Sequence, residues 1–256
     1  MDDVLFCTLT NHGYINYTLN CLKSLEKIGM KDKLHVFCTD TSSFNKIKET
    51  HDNTFYFKQD IIDENEKELF TLAKKNFQQT MILKLMVIYE CLKKSKYILF
   101  TDGDIVYYKS GFIEYLLENI KDNNILIQND KTEGKNSRKD GKPVCCAGFI
   151  FIKNTPTTLD MFNYNTNNPI FQKYISSSLR KGFFDDQLYL RNLKNNHNDI
   201  VKMKLLPSLL FPTFFILKFK INKPSEIWNE KYLLHFNYII GNEKMKVMKY
   251  HKSWYI

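Results

Sequence analysis

The sequence has none of the patterns that mark secreted, zinc-binding or P-loop proteins. Its N-terminus, MDDVLFCTLT, has neither a basic region nor a long apolar region, so no signal peptide is visible and we expect a cytoplasmic location. None of the six cysteines lies in a C-x-x-C pair, which argues against a zinc site or a disulfide framework and favours reduced, packed thiols. The phosphate-cradling glycine patterns G-x-G-x-x-G and G-x-x-x-x-G-K-S/T are also absent.

Long hydrophobic runs are missing as well. The most apolar stretch, Leu205–Phe219 (LLPSLLFPTFFILKF), is shorter than the roughly 20 residues that a membrane-spanning helix needs. Pro207 and Pro212 also interrupt it. We therefore expect core strands and turns here, with contact to a membrane surface as the lesser alternative and no transmembrane helix.

What the sequence does contain is enough apolar material for one large α/β domain. Of its 256 residues, 43% are hydrophobic and 14% aromatic, which excludes wholesale disorder. The formal net charge of +9 favours an anionic partner, such as a nucleotide, a nucleic acid or a lipid surface. The lysines are dispersed, and no helix-turn-helix, zinc-finger or aromatic RNA-binding signature accompanies them. The charge makes a basic nucleic-acid-binding protein an alternative. Because these signatures are absent, we expect no nucleic-acid partner.

The most informative segment is YILFTDGDIVYY, which starts at Tyr97. An apolar run of this kind is typical of a strand buried on both faces of a parallel sheet. Asp102 and Asp104 follow where the strand leaves the sheet, the edge at which open α/β sheets bind ligands. Because residues i and i+2 of an extended segment point the same way, both carboxylates can face one point. Gly103 between them lets a ligand approach the backbone. Two hard oxygen donors suit Mg²⁺ or Mn²⁺, although an acidic turn is the plain alternative.

Strand and helix patterns alternate along the first half of the chain, which predicts an α/β fold with a mostly parallel sheet flanked by helices. Strands are expected at Val4–Leu9, Leu34–Cys38, Phe55–Phe57, Tyr97–Phe100, Ile125–Gln128 and Cys145–Ile152. Helices are expected at Ile15–Ile28 (closed by Gly29), Glu66–Lys75, Gln79–Leu92, Pro169–Leu179 and Phe184–Lys194. The polar loop Lys131–Lys142 has the length of a mobile lid or a disordered loop.

The loop after the first strand is a candidate nucleotide site. It contains Thr8, Thr10, Asn11 and Tyr14, and it connects a strand to a helix, the position at which α/β folds hold nucleotides. Asn11 could offer a donor and an acceptor to a base edge. Tyr14 could stack on the base. Ordinary turn and packing roles are the alternative for both.

Two further candidates lie on helices. Lys84 is flanked by apolar residues in I-L-K-L-M-V, so its amine either snorkels to solvent or reaches a phosphate or sugar. Asp185, Asp186 and Gln187 begin a helix, where acidic residues are commonly N-caps. The functional alternative is that Asp186 and Gln187 face sugar hydroxyls or the reacting centre.

The C-terminal segment adds a possible third metal ligand. His235 alternates with Asn237 at an expected strand end, and an imidazole is a common metal ligand. Gly241 and Lys244 follow, and a lysine here could neutralise a diphosphate. Each of these residues alone is unremarkable.

Taken together and in this order, the motifs resemble those of the GT-A glycosyltransferases, in particular the nucleotide-diphospho-sugar transferase family with its glycogenin-like members. The resemblance covers most of the chain and implies a single GT-A (Rossmann-like) domain over residues 1–256. Residues 1–108 would form the half that binds the nucleotide-sugar. Residues 109–256 would form the acceptor-binding half, with the metal and diphosphate segment at its C-terminal end.

The resemblance also implies roles for particular residues. It implies a Mn²⁺ or Mg²⁺ site made by Asp102, Asp104 and His235. Donor binding is implied for Thr8, Thr10, Asn11, Tyr14, Lys84, Asp102, Gly103, Gly148, Gly241 and Lys244. Catalytic roles are implied for Asp186, Gln187 and Lys84.

The implied reaction moves a sugar from a UDP-sugar to a glycan, protein or other hydroxyl acceptor, with retention of anomeric configuration. Cys146 departs from the pattern, because relatives usually carry asparagine two residues before Gly148. The histidine-to-glycine spacing is longer than in glycogenin, which leaves the role of Asn237 open. A haloacid-dehalogenase-type phosphohydrolase is a second alternative, since D-x-D-x-T/V is its nucleophile motif, but that family places the motif near the start of the chain.

Overall fold

The structure, a computed structural model, describes residues 3–57, 75–130, 144–164, 168–180, 185–216 and 229–256. Its strands are β1 (Val4–Thr10), β2 (Leu34–Cys38), β3 (Thr54–Tyr56), β4 (Tyr97–Thr101), β5 (Ile105–Tyr107), β6 (Ile125–Asn129), β7 (Cys145–Lys153), β8 (Met203–Leu205) and β9 (Leu233–His235). Its helices are α1 (Ile15–Lys27), α2 (Thr41–Lys48), α3 (Lys75–Leu92), α4 (Phe112–Ile120), α5 (Pro156–Phe162), α6 (Pro169–Arg180), α7 (Asp186–Asn196) and α8 (Gly241–Tyr250).

A seven-stranded sheet with the order β3-β2-β1-β4-β7-β6-β8 forms the centre of the fold. Strands β1 to β4 pair in parallel, and so do β6 and β8. Only β7 runs against its neighbours, pairing antiparallel with both β4 and β6. The prediction of a mostly parallel sheet is confirmed, and the carboxyl ends of β1, β4 and β6 lie at one edge.

Alternate side chains of the central strands pack against opposite layers of helices, as the two-residue period of a strand requires. Phe6 and Leu99 face a core layer that contains residues of α1, α2 and α4. Cys7 and Ile98, one position along, face the layer that contains residues of α3, α5, α6 and α7. Burial on both faces explains why these strands read as continuous apolar runs.

A small second sheet lies beyond the carboxyl edge. It consists of β5 and β9, which pair antiparallel. A separate apolar cluster supports it, with Val106 and Leu234 from the two strands, Tyr17 from α1 and Met248 from α8. This cluster fixes the C-terminal segment against the first helix, and so positions the residues of the candidate site.

Most expected elements occur with their ends shifted by a few residues. Gly29 follows α1 with a φ of +69°, as expected of a C-terminal glycine cap. The expected helix Glu66–Lys75 lies outside the described residues apart from its last residue, and the loop Lys131–Lys142 lies wholly outside them. All six cysteines are free and buried, as predicted.

Most of the apolar segment that begins at Leu205 packs in the core over its described part, which ends at residue 216, whereas Leu209 is 56% exposed. Leu206 is 3% exposed and Phe211 is fully buried, and the chain there forms the end of β8 followed by turns. Within the described ranges, no helix has both the length and the apolar character required to cross a bilayer.

Candidate active site

Two of the predicted metal ligands lie in the turn between β4 and β5. The chain turns immediately after Thr101, and the backbone N–H of Ile105 donates to the carbonyl of Asp102 at 3.3 Å. The backbone N–H of Asp102 donates to the carbonyl of Gly148 on β7 at 2.7 Å, which fixes the start of the turn. A turn, and not the extended backbone that we expected, therefore brings the carboxylates of Asp102 and Asp104 towards one point.

The third predicted ligand comes from β9. Strand pairing places His235 opposite Ile105, one residue beyond Asp104. His235 Nε2 lies 3.7 Å from Asp102 Oδ2 and 3.3 Å from Asp104 Oδ1. One ligand atom from each of these three residues lies within 4.8 Å of the others. The structure thus brings together Asp102, Asp104 and His235, and this group could hold a divalent cation.

The donor atoms of this group fit such a cation. Asp104 is 4% exposed, and its Oδ1 accepts no hydrogen bond from any described residue. A buried carboxylate oxygen without a partner is costly, and such atoms commonly mark a missing ion or water. Two carboxylates and one imidazole are ligands that divalent cations commonly take in proteins. Mg²⁺ also binds through one or two carboxylates together with substrate phosphates.

Lys84 joins the candidate metal site to the start of α7. Its Nζ lies 2.8 Å from Asp102 Oδ1 and 2.8 Å from Asp186 Oδ2. The lysine side chain is 3% exposed, so the alternative that its amine snorkels to solvent is wrong. Burial alone would lower the pKa of Lys84, but the two carboxylates outweigh burial and raise that pKa. Lys84 is therefore a buried cation at neutral pH.

Lys244 pairs with Asp104 as Lys84 pairs with Asp102. It lies in the first turn of α8, is 3% exposed, and forms an ion pair with Asp104 Oδ2. Its Nζ also donates to the hydroxyl of Tyr14 at 3.3 Å. Burial would raise the pKa of the Asp104 carboxyl, but Lys244 and His235 outweigh burial and hold that pKa below its usual value. Asp104 is therefore ionised at neutral pH.

The two acidic residues at the start of α7, Asp185 and Asp186, have different roles. Asp185 is the N-cap, and its Oδ1 accepts from the backbone N–H of Gln187 (2.8 Å) and of Leu188 (3.4 Å). Asp186 also accepts from the Gln187 N–H at 2.8 Å, and it is 4% exposed and paired with Lys84. The N-cap alternative is thus correct for Asp185, while Asp186 lies beside the candidate metal ligands.

The loop after β1 lies near the same group through Tyr14. Thr8 is fully buried and Thr10 is 2% exposed, with Thr10 Oγ1 accepting from the hydroxyl of Thr18 at 2.8 Å. Asn11 precedes a short 3₁₀ turn, and its Oδ1 is buried with no hydrogen bond to a described residue. Asn11 and Tyr14 are therefore the side chains of this loop best placed to meet a ligand.

Close packing explains two of the glycines at the site. A Cβ at Gly103 would lie 2.5 Å from Thr18 Oγ1, so helix α1 packs closely against the backbone there, and donor binding by Gly103 stays a prediction. A Cβ at Gly148 would overlap the imidazole of His235 and lie 2.8 Å from Asp102 Oδ2. Gly241 begins α8 with a φ of +57°, and its carbonyl accepts from the Tyr17 hydroxyl at 2.8 Å.

The sequence analysis missed a polar group at the end of β6. Gln128 Oε1 lies 3.0 Å from His235 Nδ1. Asp130 accepts from Asn237 Nδ2 at 3.0 Å and from the Tyr238 hydroxyl at 2.6 Å, which gives Asn237 a role. A signal for these residues was available, because Gln128 is the next-to-last residue of the apolar strand β6 and Asp130 follows it, and the carboxyl end of β6 lies at the same edge as that of β4.

Cys146 also lies against this group. Its Sγ is 3.3 Å from His235 Nδ1 and 3.7 Å from Asn237 Nδ2. Burial raises the pKa of the Cys146 thiol well above its usual value, so the thiol is neutral. Cys146 is therefore a neighbour of the candidate ligand His235 on the side away from Asp102 and Asp104.

A Rossmann-like sheet whose central strand ends in paired aspartates, with a histidine brought in from the C-terminal segment, defines the class of GT-A glycosyltransferases. The sequence matches the nucleotide-diphospho-sugar transferase family over residues 30–248. The chain belongs to this family. The predictions of the fold and of a glycosyltransferase family are thereby confirmed, and neither alternative class is supported.

Comparison with individual proteins agrees with this assignment. The chain is 26% identical to a UDP-galactose:fucoside alpha-3-galactosyltransferase of Dictyostelium discoideum. That match includes 99% of this chain and 43% of the relative, so the chain spans less than half of the relative's length.

Solved structures show the same fold at low identity. The galactosyltransferase LgtC, solved with donor and acceptor sugar analogs, is 14% identical with a TM-score of 0.57, and the match covers 91% of this chain and 86% of LgtC. Mouse xyloside xylosyltransferase 1, in its apo form, is 12% identical with a TM-score of 0.54, and the match covers 91% of this chain and 97% of the mouse protein. At these identities the likeness shows the fold alone. The roles of the individual site residues, and the division into two functional halves at residue 108, stay predictions.

Proposed function

We propose that this chain is a metal-dependent glycosyltransferase that moves a sugar from a UDP-sugar to a hydroxyl group of a glycan or another acceptor. The observation that carries the proposal is the group of Asp102, Asp104 and His235 at the carboxyl edge of the sheet, in which the buried Asp104 Oδ1 accepts no hydrogen bond from a described residue. Family membership supplies the class of reaction. The side chains supply the place at which a diphosphate can be held.

In this proposal Asp102, Asp104 and His235 hold Mn²⁺ or Mg²⁺. A divalent cation there supplies neutralisation of the charge that develops on the diphosphate as it leaves the sugar. Lys84 and Lys244 add fixed positive charge on either side of the two aspartates. Because both ammonium groups are buried, their charges act through a medium less polar than water.

Asp186 and Gln187 are proposed to meet the transferred sugar. The Lys84 ammonium contacts Asp102 and Asp186 together, so the start of α7 lies next to the proposed metal ligands. An ionised carboxylate there can stabilise positive charge at the anomeric carbon, or attack that carbon from the face opposite the leaving group. We propose retention of configuration by two displacements: Asp186 attacks the anomeric carbon as its bond to UDP breaks, and the acceptor hydroxyl then displaces Asp186 from the same carbon, giving its proton to the departed diphosphate.

The proposed nucleoside contacts are Asn11 and Tyr14. The Asn11 oxygen is available as an acceptor among the described residues, and the Tyr14 hydroxyl reaches the same lysine that pairs with Asp104. The Dictyostelium relative is named for UDP-galactose and a fucoside. UDP-galactose is therefore the donor that we propose to test first, with an alkyl fucoside as the acceptor.

We expect UDP to stabilise the chain against heat only when Mn²⁺ is present, because the cation completes the diphosphate site. At about one hundred times its dissociation constant, a ligand adds roughly 2.7 kcal/mol to the free energy of unfolding. The measurement is the melting temperature over a UDP series with Mn²⁺, and with EDTA in its place. Release of UDP from UDP-galactose, with and without the fucoside, then tests turnover.

Equal stabilisation with Mn²⁺ and with EDTA would reject the proposed metal site. Inorganic phosphate supplies a control anion that lacks the nucleoside. Release of phosphate from a simple aryl phosphate with Mg²⁺, without UDP release from any UDP-sugar, would favour the phosphohydrolase alternative.

The Gly148→Ala variant tests whether the imidazole position matters for metal binding. The added methyl group has no room beside His235 and Asp102, so one of these ligands must move. A displacement of about 1 Å at a catalytic group can cost on the order of 100-fold in rate. We expect weaker Mn²⁺ binding by calorimetry and a matching loss of transfer, with an unchanged circular dichroism spectrum. Wild-type Mn²⁺ affinity in a folded Gly148→Ala variant would contradict the proposed ligand set.

A further inference from the structure

Gln128 is the next-to-last residue of strand β6, and its side chain is fully buried. Two backbone carbonyl groups fix the orientation of its side-chain amide. Its Nε2 donates to the carbonyl of Phe211 at 3.0 Å and to the carbonyl of Pro212 at 3.1 Å. A reversed amide would place its oxygen against both carbonyl oxygens, with no proton between them. The amide nitrogen of Gln128 must therefore face residues 211 and 212, and the amide oxygen must point the other way.

The amide oxygen of Gln128 faces the imidazole of His235, with Oε1 lying 3.0 Å from Nδ1. Oε1 can only accept a hydrogen bond, so this contact requires a proton on Nδ1. The second neighbour of Nδ1, the Cys146 sulfur at 3.3 Å, can accept weakly from the same N–H. The contacts on this side of the ring thus favour one of the two neutral tautomers, with Nδ1 as the donor.

In that tautomer Nε2 carries a lone pair, and Nε2 is the ring atom that faces Asp102 and Asp104. It lies 3.3 Å from Asp104 Oδ1, the carboxylate oxygen that has no hydrogen bond to a described residue. A single cation can contact both atoms at this separation. The hydrogen bond from Nδ1 to Gln128 therefore leaves Nε2 as the ring atom that can bind a metal ion.

The same backbone carbonyl also connects Gln128 to the position of β9. The carbonyl of Pro212 accepts from Gln128 Nε2 and from the backbone N–H of His235, each at 3.1 Å. Gln128 thus contacts the His235 ring, and the carbonyl that holds Gln128 also holds the backbone of His235.

We propose that Gln128 is a positioning residue that holds His235 as the Nδ1–H tautomer, so that Nε2 is free to bind a divalent cation. This inference rests on the proposed metal-dependent function, since it presumes that His235 is a ligand. It goes beyond that function, because it assigns the affinity of the metal site partly to a buried neutral amide on a strand outside the ligand set.

The Gln128→Met variant tests the assignment through metal affinity. Methionine has a similar length but no oxygen acceptor, and loss of the partner that orients a ligating histidine typically weakens metal binding about 10- to 100-fold. We expect that loss in the Mn²⁺ dissociation constant measured by calorimetry. The control is Thr155→Ala, which removes the N-cap of α5 and should lower the melting temperature without changing Mn²⁺ affinity.

The tautomer itself is measured on the metal-free wild-type chain by long-range ¹H–¹⁵N correlation spectra of the histidine rings. The His235 signals are identified by their loss in His235→Gln. We expect a proton on Nδ1 in wild type and in Cys146→Ala, and a fraction of rings without that proton in Gln128→Met.

The outcomes separate this inference from the proposed function. If wild type binds Mn²⁺ and Gln128→Met binds it equally well, the role of Gln128 is rejected and the proposed function stands. A wild-type His235 without a proton on Nδ1 also rejects the role of Gln128. If wild type binds no Mn²⁺, both the metal-dependent function and the inference fall.

Discussion

Asp102→Asn is expected to lower the rate of sugar transfer by about 100- to 1000-fold, the largest effect on activity that we predict. A metal ion contributes several kcal/mol to stabilising a charged leaving group, and each 1.4 kcal/mol corresponds to about tenfold in rate. Asparagine keeps the shape of the side chain but loses the negative charge that would hold the cation. The expected signature is a large rise in the Mn²⁺ concentration needed for half-maximal UDP release.

The fold should survive this change, because Lys84 keeps a second anionic partner. Its ammonium remains 2.8 Å from Asp186 Oδ2, and the amide oxygen of an asparagine at position 102 can still accept from it. Asp102 is also the more accessible of the two carboxylates paired with Lys84, with 33% of its side chain exposed against 6% for Asp186. We therefore expect a change in melting temperature that is small beside the loss of activity.

Asp186→Asn is the matched control for Asp102→Asn. It also removes one negative charge from Lys84, but on the side proposed to face the sugar. We expect Asp186→Asn to lower the rate of transfer while the Mn²⁺ dissociation constant stays close to that of wild type. If the two variants lost Mn²⁺ affinity equally, or if Asp102→Asn kept full Mn²⁺-dependent activity, the proposed ligand set would be wrong.

The central sheet and the position of the paired aspartates were predictable because the signals are local. The apolar run from Tyr97 to Thr101 reads as a strand buried on both faces, and the structure places it between β1 and β7. Asp102 and Asp104 follow that run directly, so their placement at the sheet edge needs no knowledge of the rest of the chain.

The pairing that completes the candidate site could not be predicted in the same way. Strands β5 and β9 each have three residues, too few for a clear two-residue period, and about half of the chain separates them. The sequence D-G-D is compatible with a turn and with an extended backbone. The sequence alone therefore does not reveal the turn at Asp102. His235 was proposed only from the family resemblance and from its alternation with Asn237.

The roles of buried polar residues depend on partners that are distant in sequence. This explains why the roles of two further residues in the structure differ from what the sequence indicates. An apolar helix face predicts that Lys84 lies near the core, but only the position of Asp186 decides whether its amine stays there. Gln128 reads as an ordinary residue at the end of a strand. Its role depends on the carbonyls of Phe211 and Pro212 and on the ring of His235, none of which its neighbours in sequence reveal.

Lys84→Met is expected to produce the largest loss of stability, about 3 to 5 kcal/mol at neutral pH in the absence of metal. Removing one partner of a buried ion pair leaves an uncompensated charge, and losses of this size are typical. Here the carboxylates of Asp102 and Asp186 would face each other without the ammonium between them. The measurement is the free energy of unfolding in urea, with the slope checked against that of wild type.

The sign of the pH dependence provides a further check on this prediction. Because the pKa of Lys84 is raised by its partners, the ion pair stabilises the wild-type chain fully below the ordinary lysine value of 10.5 and loses this effect only at more alkaline pH. In Lys84→Met the two carboxyls should bind protons more readily, so the deficit in stability should shrink as the pH falls below neutral.

The double variant Lys84→Met with Asp186→Asn separates the cost of an unpaired charge from the cost of a changed packing volume. If repulsion and desolvation of Asp186 cause the loss, the second change should restore part of the stability, and the coupling energy of the cycle should exceed about 1 kcal/mol. Additive losses would instead show that Lys84 contributes mainly through contacts other than its pairing with Asp186, such as that of Nζ with the ring of Phe100, whose centroid lies 4.9 Å away. Lys84 would then have no electrostatic role in holding the start of α7 beside Asp102.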